Sequence, residues 1–220
     1  SLGDRMDDAS TGKPPLTIVY VIFSVTRAGA EMVLLELVTG LNRARYRPIV
    51  VVLAAPGALS PSFVHANVDL HHLGMSSLLH APLTFLKALR LVRRLRPALV
   101  HGFLFYGDLT ARLLRICGGT PRVVSAVHST YVGKRWCELT MRWTDRCTDA
   151  VTAVSRTVAE AQIAARSIRP EKVSVIENGI DLERLKPPSA AVLAALRERF
   201  GISGHERVLL CVGRLMPEKN

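Results

Sequence analysis

Two histidines, a solitary glycine and a pair of cations near the last residue are where this sequence has side chains suited to chemistry. His101 and His128 each stand at the end of a short apolar run, Ala98–His101 and Arg122–Val127. A histidine at the carboxyl end of a strand can hydrogen-bond a sugar hydroxyl or act beside a phosphate. It can equally be a half-buried ring held by a backbone carbonyl, and for His101 that plainer role fits better. Gly29, in Ser24-Val-Thr-Arg-Ala-Gly-Ala-Glu31, falls where a strand turns into a helix. A glycine there lets a ligand approach the backbone, and a helix N-terminus favours an anion; a tight turn without a ligand reads as well. One glycine is not a GxGxxG fingerprint, so a nicotinamide oxidoreductase is disfavoured. Arg214 and Lys219 follow the run Arg207–Val212 and suit the grip of two cations on a diphosphate. Thr26, Arg27, Glu177 and Asn178 also stand just past run ends, and Glu177-Asn-Gly-Ile-Asp181 reads first as a turn.

Leu83–Arg96 is the densest basic stretch, with Lys87, Arg90 and Arg94 on one helical face. Such a face can lie on anionic lipid. The plainer reading is the solvated side of a sheet-covering helix. His71 and His72 are adjacent on a strand and point to opposite faces, so they share no site. His65, His80 and His205 carry no signal. No serine or cysteine triad, Walker loop or nucleic-acid module is present.

The elements that must position these residues are legible from the apolar pattern. Eight short runs rich in Val and Ile recur: 16–23, 48–53, 68–73, 98–101, 122–127, 149–154, 172–176 and 207–212. They lack strict alternation, as strands covered on both faces do. Helical patterns lie between them. Leu34, Leu37, Val38 and Leu41 form one apolar stripe, Trp136, Leu139, Trp143 and Cys147 a second, and Val158, Ala161, Ala165 and Ile168 a third. Ser155 is placed to cap the third helix. Alternating strands and helices imply right-handed βαβ units, an α/β Rossmann-like parallel sheet with helices on both faces. Residues 1–15 read as a flexible leader and 16–188 as this domain. Residues 189–220 read as a connecting helix with the first strand of a second α/β domain.

The 220 residues are 49% hydrophobic and 21% charged, an ordinary globular balance. Lys and Arg number 29 against 18 acids, a formal +11 that favours phosphate-bearing partners or an anionic membrane surface. Aromatics are 5%, leaving few platforms for stacked bases, and no nucleic-acid partner is expected. No apolar run is long enough to span a bilayer, and none has the form of a secretory signal. Cys117, Cys137, Cys147 and Cys211 form no CxxC pair and no zinc spacing, and read as buried thiols in a reducing, cytoplasmic setting.

Taken in order, the motifs resemble those of the retaining GT-B transferases of glycosyltransferase family four. They are Ala28-Gly-Ala-Glu31, Leu95-Arg-Pro-Ala-Leu-Val-His101, Ala126-Val-His-Ser129, Thr144-Asp-Arg146 with Val151-Thr-Ala-Val-Ser155, Val175-Ile-Glu-Asn-Gly-Ile-Asp181 and Val212-Gly-Arg-Leu-Met-Pro-Glu-Lys219. The resemblance implies two Rossmann-like domains facing across a cleft, the first binding the acceptor and the second the nucleotide sugar. It implies hexosyl-type transfer, with retention, from a nucleotide-diphosphate sugar to a glycan or lipid-linked acceptor, with no metal normally required. By resemblance Gly29 lies against the donor diphosphate and His128 contacts the donor sugar near the reacting centre. Arg214 and Lys219 hold the diphosphate and stabilise the departing nucleotide. Ala28 replaces the first of two glycines common in the family, and the paired glutamates of the second domain lie outside this sequence. The chain is therefore expected to be the N-terminal half, inactive alone for want of the C-terminal domain, and cytoplasmic or peripheral on the cytoplasmic membrane face. The alternative from another class is a non-enzymatic half-fold docking on membrane, lipid-linked glycan or a partner subunit.

Overall fold

A computed structural model describes residues 14–130, 134–180, 182 and 186–211. It divides into two compact units, one ending at Gly179 and the other beginning at Ile180. In the first unit the elements alternate: β1 (Leu16–Ile22), α1 (Gly29–Gly40), β2 (Tyr46–Val52), α2 (Ser60–His65), β3 (Asp69–His72), α3 (Ala81–Leu95) and β4 (Leu99–Phe103). Then come α4 (Leu104–Ile116), β5 (Val123–Val127), α5 (Arg135–Thr144), β6 (Ala150–Ala153), α6 (Arg156–Ala164) and β7 (Val173–Val175). The strands form one sheet in the order β3-β2-β1-β4-β5-β6-β7, every neighbouring pair parallel.

Both faces of the sheet's centre are covered, which is why β1 and β2 read as near-continuous apolar runs. Val19, Val21, Val51, Val100 and Val123 pack under Ala88, Leu89 and Val92 of α3 and Ala111 and Leu114 of α4. The alternate residues Tyr20, Ile22, Val50, Val52 and Phe103 pack under Leu34 and Val38 of α1 and Phe63 of α2. The Ser155 hydroxyl caps α6 by accepting from the Val158 N–H at 3.2 Å.

Two glycines let α4 sit hard against the sheet. A Cβ on Gly107 would come within 2.3 Å of the Val21 carbonyl oxygen, and one on Gly102 within 2.4 Å of the Asp108 Cα. Leu104, at φ 58°, turns the chain from β4 directly into α4 with no intervening loop. That close seat carries Asp108 and Arg112 inward. The Arg112 Nε donates to Asp108 Oδ1 at 3.0 Å, and a second guanidinium nitrogen lies 2.9 Å from Oδ2. The same guanidinium donates to the Met141 carbonyl at 2.8 Å, to Thr144 Oγ1 at 3.2 Å and to Ser125 Oγ at 3.2 Å. Ser125 in turn donates to Asp108 at 2.5 Å and lies 2.8 Å from the Thr148 hydroxyl.

Four expectations from the sequence need correction. The stripe Trp136, Leu139, Trp143 faces outward: α5 buries Cys137 and Met141 instead, because Arg112 engages Met141 and Thr144 and so sets the rotation of the helix. His101 does not end its strand, since β4 continues through Phe103. In α1, Leu37 is exposed and Leu41 lies past the helix end. In the second unit, Ser189 caps α7 (Ala190–Phe200), and Gly201 ends it at φ 63°. Residues 207–211 form no strand there. A strand exists only by pairing its backbone, and Leu209 is fully exposed at 100%.

Three outcomes follow from this packing. Gly107→Ala should destabilise the domain by about 1–3 kcal/mol in urea denaturation, since backbone rather than a side-chain tip must yield. Arg112→Met alone should cost about 3–5 kcal/mol by leaving Asp108 uncompensated, while adding Asp108→Leu should restore much of that loss. Burial, with a smaller contribution from His128, pushes the His101 ring down from 6.5 to about 3. The unfolded ring takes up its proton at the ordinary value and the folded ring does not, so stability should fall as pH drops below 6.5. His101→Phe should flatten the slope of the urea midpoint between about pH 6.5 and 5, above the carboxylate range.

Candidate functional site

In an open parallel sheet, ligands bind outside the carboxyl ends of the strands. At that edge β1 leads into α1 through residues 23–28. Gly29 is the first residue of α1, behind an extended Ala28, and no side chain caps the helix. The space over Gly29 is open: a Cβ there would meet nothing within 4 Å. The positive end of the α1 dipole is thus presented to an approaching anion. Thr26 donates to the buried Glu31 carboxylate at 3.2 Å and braces the turn. A neighbouring loop is seated on it, since a Cβ on Gly57 would lie 2.6 Å from the Val25 carbonyl.

His128 follows β5 directly. Its ring lies 5.3 Å from Phe103, which lies 4.8 Å from His101, and His101 lies 5.5 Å from Tyr20. The four rings make a column across β1, β4 and β5. Burial lowers the pKa of both histidines, so both rings are neutral near pH 7. The Nε2 atoms of both are buried with no hydrogen-bond partner among the described residues. A neutral imidazole offers one donor and one acceptor, and an orphaned buried nitrogen is costly unless something else meets it.

His128 also lines a cavity of about 80 Å³ whose apolar wall includes Leu104, Phe105, Met141 and Ile168. Its polar groups include Asp108, Arg112, Gln162 and Ser167, already tied to each other or to backbone. The Gln162 amide donates to the Ser129 carbonyl at 3.0 Å, holding the residue after His128 against α6. The Asp108–Arg112 pair beneath this site has a sequence signal, an acid and an arginine four residues apart on a helix, but sequence reasoning passed over it.

The remaining sequence candidates scatter. Arg27, Glu177 and Asn178 are exposed. His72 faces Ser60 at 3.3 Å while His71 pairs with Asp69 at 3.0 Å, so the two histidines have separate partners. On α3, Lys87 donates to the Leu73 carbonyl at 3.3 Å, and Arg90 and Arg94 are exposed. Arg214 and Lys219 lie outside the described residues. No helix among the described residues is long and apolar enough to cross a membrane.

Comparison with known proteins gives this edge its context. The model of glycosyltransferase family 4 matches residues 27–184. The chain is 28% identical over 139 residues to the UDP-Gal:alpha-D-GlcNAc-diphosphoundecaprenol alpha-1,3-galactosyltransferase of Escherichia coli, covering 60% of this chain and 35% of that protein. It is 41% identical over 68 residues to the D-inositol 3-phosphate glycosyltransferase of Thermobispora bispora, 30% of this chain and 15% of that one. Among solved structures, Anabaena HepE in complex with UDP and glucose superposes with a TM-score of 0.70 at 18% identity, over 84% of this chain and 50% of that one. A Rickettsia africae glycosyltransferase does so with 0.70 at 18%, over 88% and 51%. The chain thus spans about a third of the first curated relative and about half of these structures. The fold is that of one Rossmann-like half of a GT-B transferase. From the family match over most of its length and the sheet that carries it, the chain belongs to glycosyltransferase family 4.

Proposed function

We propose that this chain is the acceptor-side half of a retaining glycosyltransferase that moves a hexose from a nucleotide-diphosphate sugar to a lipid-linked or glycan acceptor. The observation that carries the reading is the buried, unpartnered Nε2 of His128 at the carboxyl end of β5. A neutral imidazole in that position suits a hydroxyl of the donor sugar. The uncapped N-terminus of α1 at Gly29, on the same sheet edge, suits the diphosphate. The donor and acceptor classes are supported by relatives: one is named for a UDP-galactose donor and a diphosphoundecaprenol-linked acceptor, and HepE was solved with UDP-glucose.

In this reading the bond from the anomeric carbon to the diphosphate oxygen breaks while the acceptor oxygen bonds to the same face. The acceptor proton leaves with the departing diphosphate, so configuration is retained. Negative charge grows on the leaving group, and Arg214 and Lys219 stabilise it without a metal ion. The half alone is inactive because most of the nucleotide contacts belong to the second domain, and the enzyme works in the cytoplasm.

A second reading is compatible with the first. The exposed Arg90 and Arg94, with Lys87 beside them, attach the protein peripherally to an anionic membrane face. Without transfer activity, the same contacts describe a docking module.

The transfer reading is tested with the full-length protein, screened against nucleotide sugars with a polyprenyl-diphosphate sugar acceptor. His128→Ala should lower kcat about 100-fold with an unchanged circular dichroism spectrum. Absence of transfer from every nucleotide sugar, or full activity in His128→Ala, would overturn it.

A further inference from the structure

The outer side of the helical layer over β4, β5 and β6 is not an ordinary solvated surface. Here α4 packs between α3 and α5. The outward face of α5 carries Trp136, Leu139 and Trp143, exposed by 50%, 45% and 77%. Leu83 and Leu86 of α3, and Tyr106 and Ile116 of α4, are exposed beside them. Trp136 is held in place edge-on against Phe105 at 5.2 Å, so the ridge is braced from beneath. Large apolar side chains grouped in this way mark an interaction surface.

Its charge is one-sided. Arg135, Arg142 and Arg146 interleave with the tryptophans, and Arg142, Trp143, Arg146 and Arg166 line one open pocket. None of these guanidinium groups, nor those of Arg90 and Arg94, has an ion-pair or hydrogen-bond partner among the described residues. The carboxylates nearby are committed or sparse. Asp108 is buried on Arg112, Asp145 is tied to Arg169 and Lys172, Asp149 is tied to Arg115, and α5 itself has only Glu138.

We propose that this α3–α4–α5 face docks on an anionic phospholipid bilayer, with Trp136 and Trp143 entering the headgroup region and the arginines meeting lipid phosphates. Tryptophan prefers the boundary between hydrocarbon and water, and arginine above an apolar ridge is the pattern of a helix lying in that plane. A second copy of the chain would set arginine against arginine. A nucleic acid would stack on the rings but gain little from Leu83, Leu86, Ile116 and Leu139. The inference deepens the surface-docking reading made for α3 and does not depend on sugar transfer. Trp136 packs on Phe105, which lines the His128 cavity, so docking would bring the candidate site close to lipid-borne acceptors.

The sequence contains two tryptophans, both in α5, so intrinsic emission reads this face directly. With vesicles of phosphatidylglycerol and phosphatidylethanolamine, emission should shift to the blue and be quenched by brominated acyl chains. Phosphatidylcholine vesicles should have much less effect. Arg142→Glu with Arg146→Glu, at exposed positions that leave the core untouched, should weaken partitioning about tenfold. Vesicle binding that is lost in Arg90→Glu/Arg94→Glu but never moves tryptophan emission would overturn the inference while leaving the α3 reading intact. No binding to anionic vesicles would overturn both. A blue shift that grows with protein concentration in the absence of lipid would identify a second copy as the occupant and overturn it as well.

Discussion

The buried pair between Asp108 and Arg112 is the constraint on which the useful part of this fold depends. Arg112 has 0% of its surface exposed, and a guanidinium in that position is tolerable only if its donors are met. Burial pushes the Asp108 carboxyl up, with Arg112 and Ser125 pulling against it. The donors reach four residues on three elements of the chain: Asp108 on α4 itself, Ser125 on β5, and Met141 and Thr144 on α5. One side chain thereby fixes the spacing of α4 and α5 over β5. His128 lies three residues beyond Ser125, so the pair sets the floor from which the candidate site is built.

The pair exists because α4 comes unusually close to the sheet. Gly102 and Gly107 remove the two Cβ atoms that would forbid this approach, and Leu104 accepts a left-handed backbone so that strand passes straight into helix. Small residues at two positions thus decide whether a carboxylate four residues before an arginine meets solvent or core. The same geometry rotates α5. Once Arg112 has claimed Met141 and Thr144, the tryptophans have nowhere to go but outward. An outer face rich in apolar groups is therefore a consequence of a polar interaction inside.

The two sides of the sheet edge divide the chemistry. At the carboxyl edge of the strands stand an uncapped helix N-terminus and the His128 ring with its unpartnered Nε2, while His101 lies within β4 beneath them. Beside them, the helical layer carries the apolar and basic groups suited to a charged lipid surface. The edge-on contact between Phe105 and Trp136 joins the two.

Much of this was legible in the residues themselves. The seven strands of the first unit were marked by short apolar runs, clearest in β1 and β2, where burial on both faces demands apolar side chains at nearly every position. The turn at Gly29, the cap at Ser155 and the place of His128 past β5 were readable too, since each depends on local backbone chemistry. Other features were decided by partners distant in sequence. Helical periodicity says that α5 has an apolar stripe but not which of two stripes faces inward; Arg112, twenty-nine residues before Met141, chose Cys137 and Met141. The segment 207–211 has the composition of a strand, yet a strand needs a neighbour, and composition does not supply one. The sequence by itself determined the strands of the first unit, helices α1, α3, α5 and α6 and the family, because hydrophobic runs and turn residues act locally, whereas α2 and α4 emerged only in the structure. Only the tertiary structure decided which faces of the helices are buried and that His128 is neutral and unpartnered, because those depend on desolvation by groups far away in the chain.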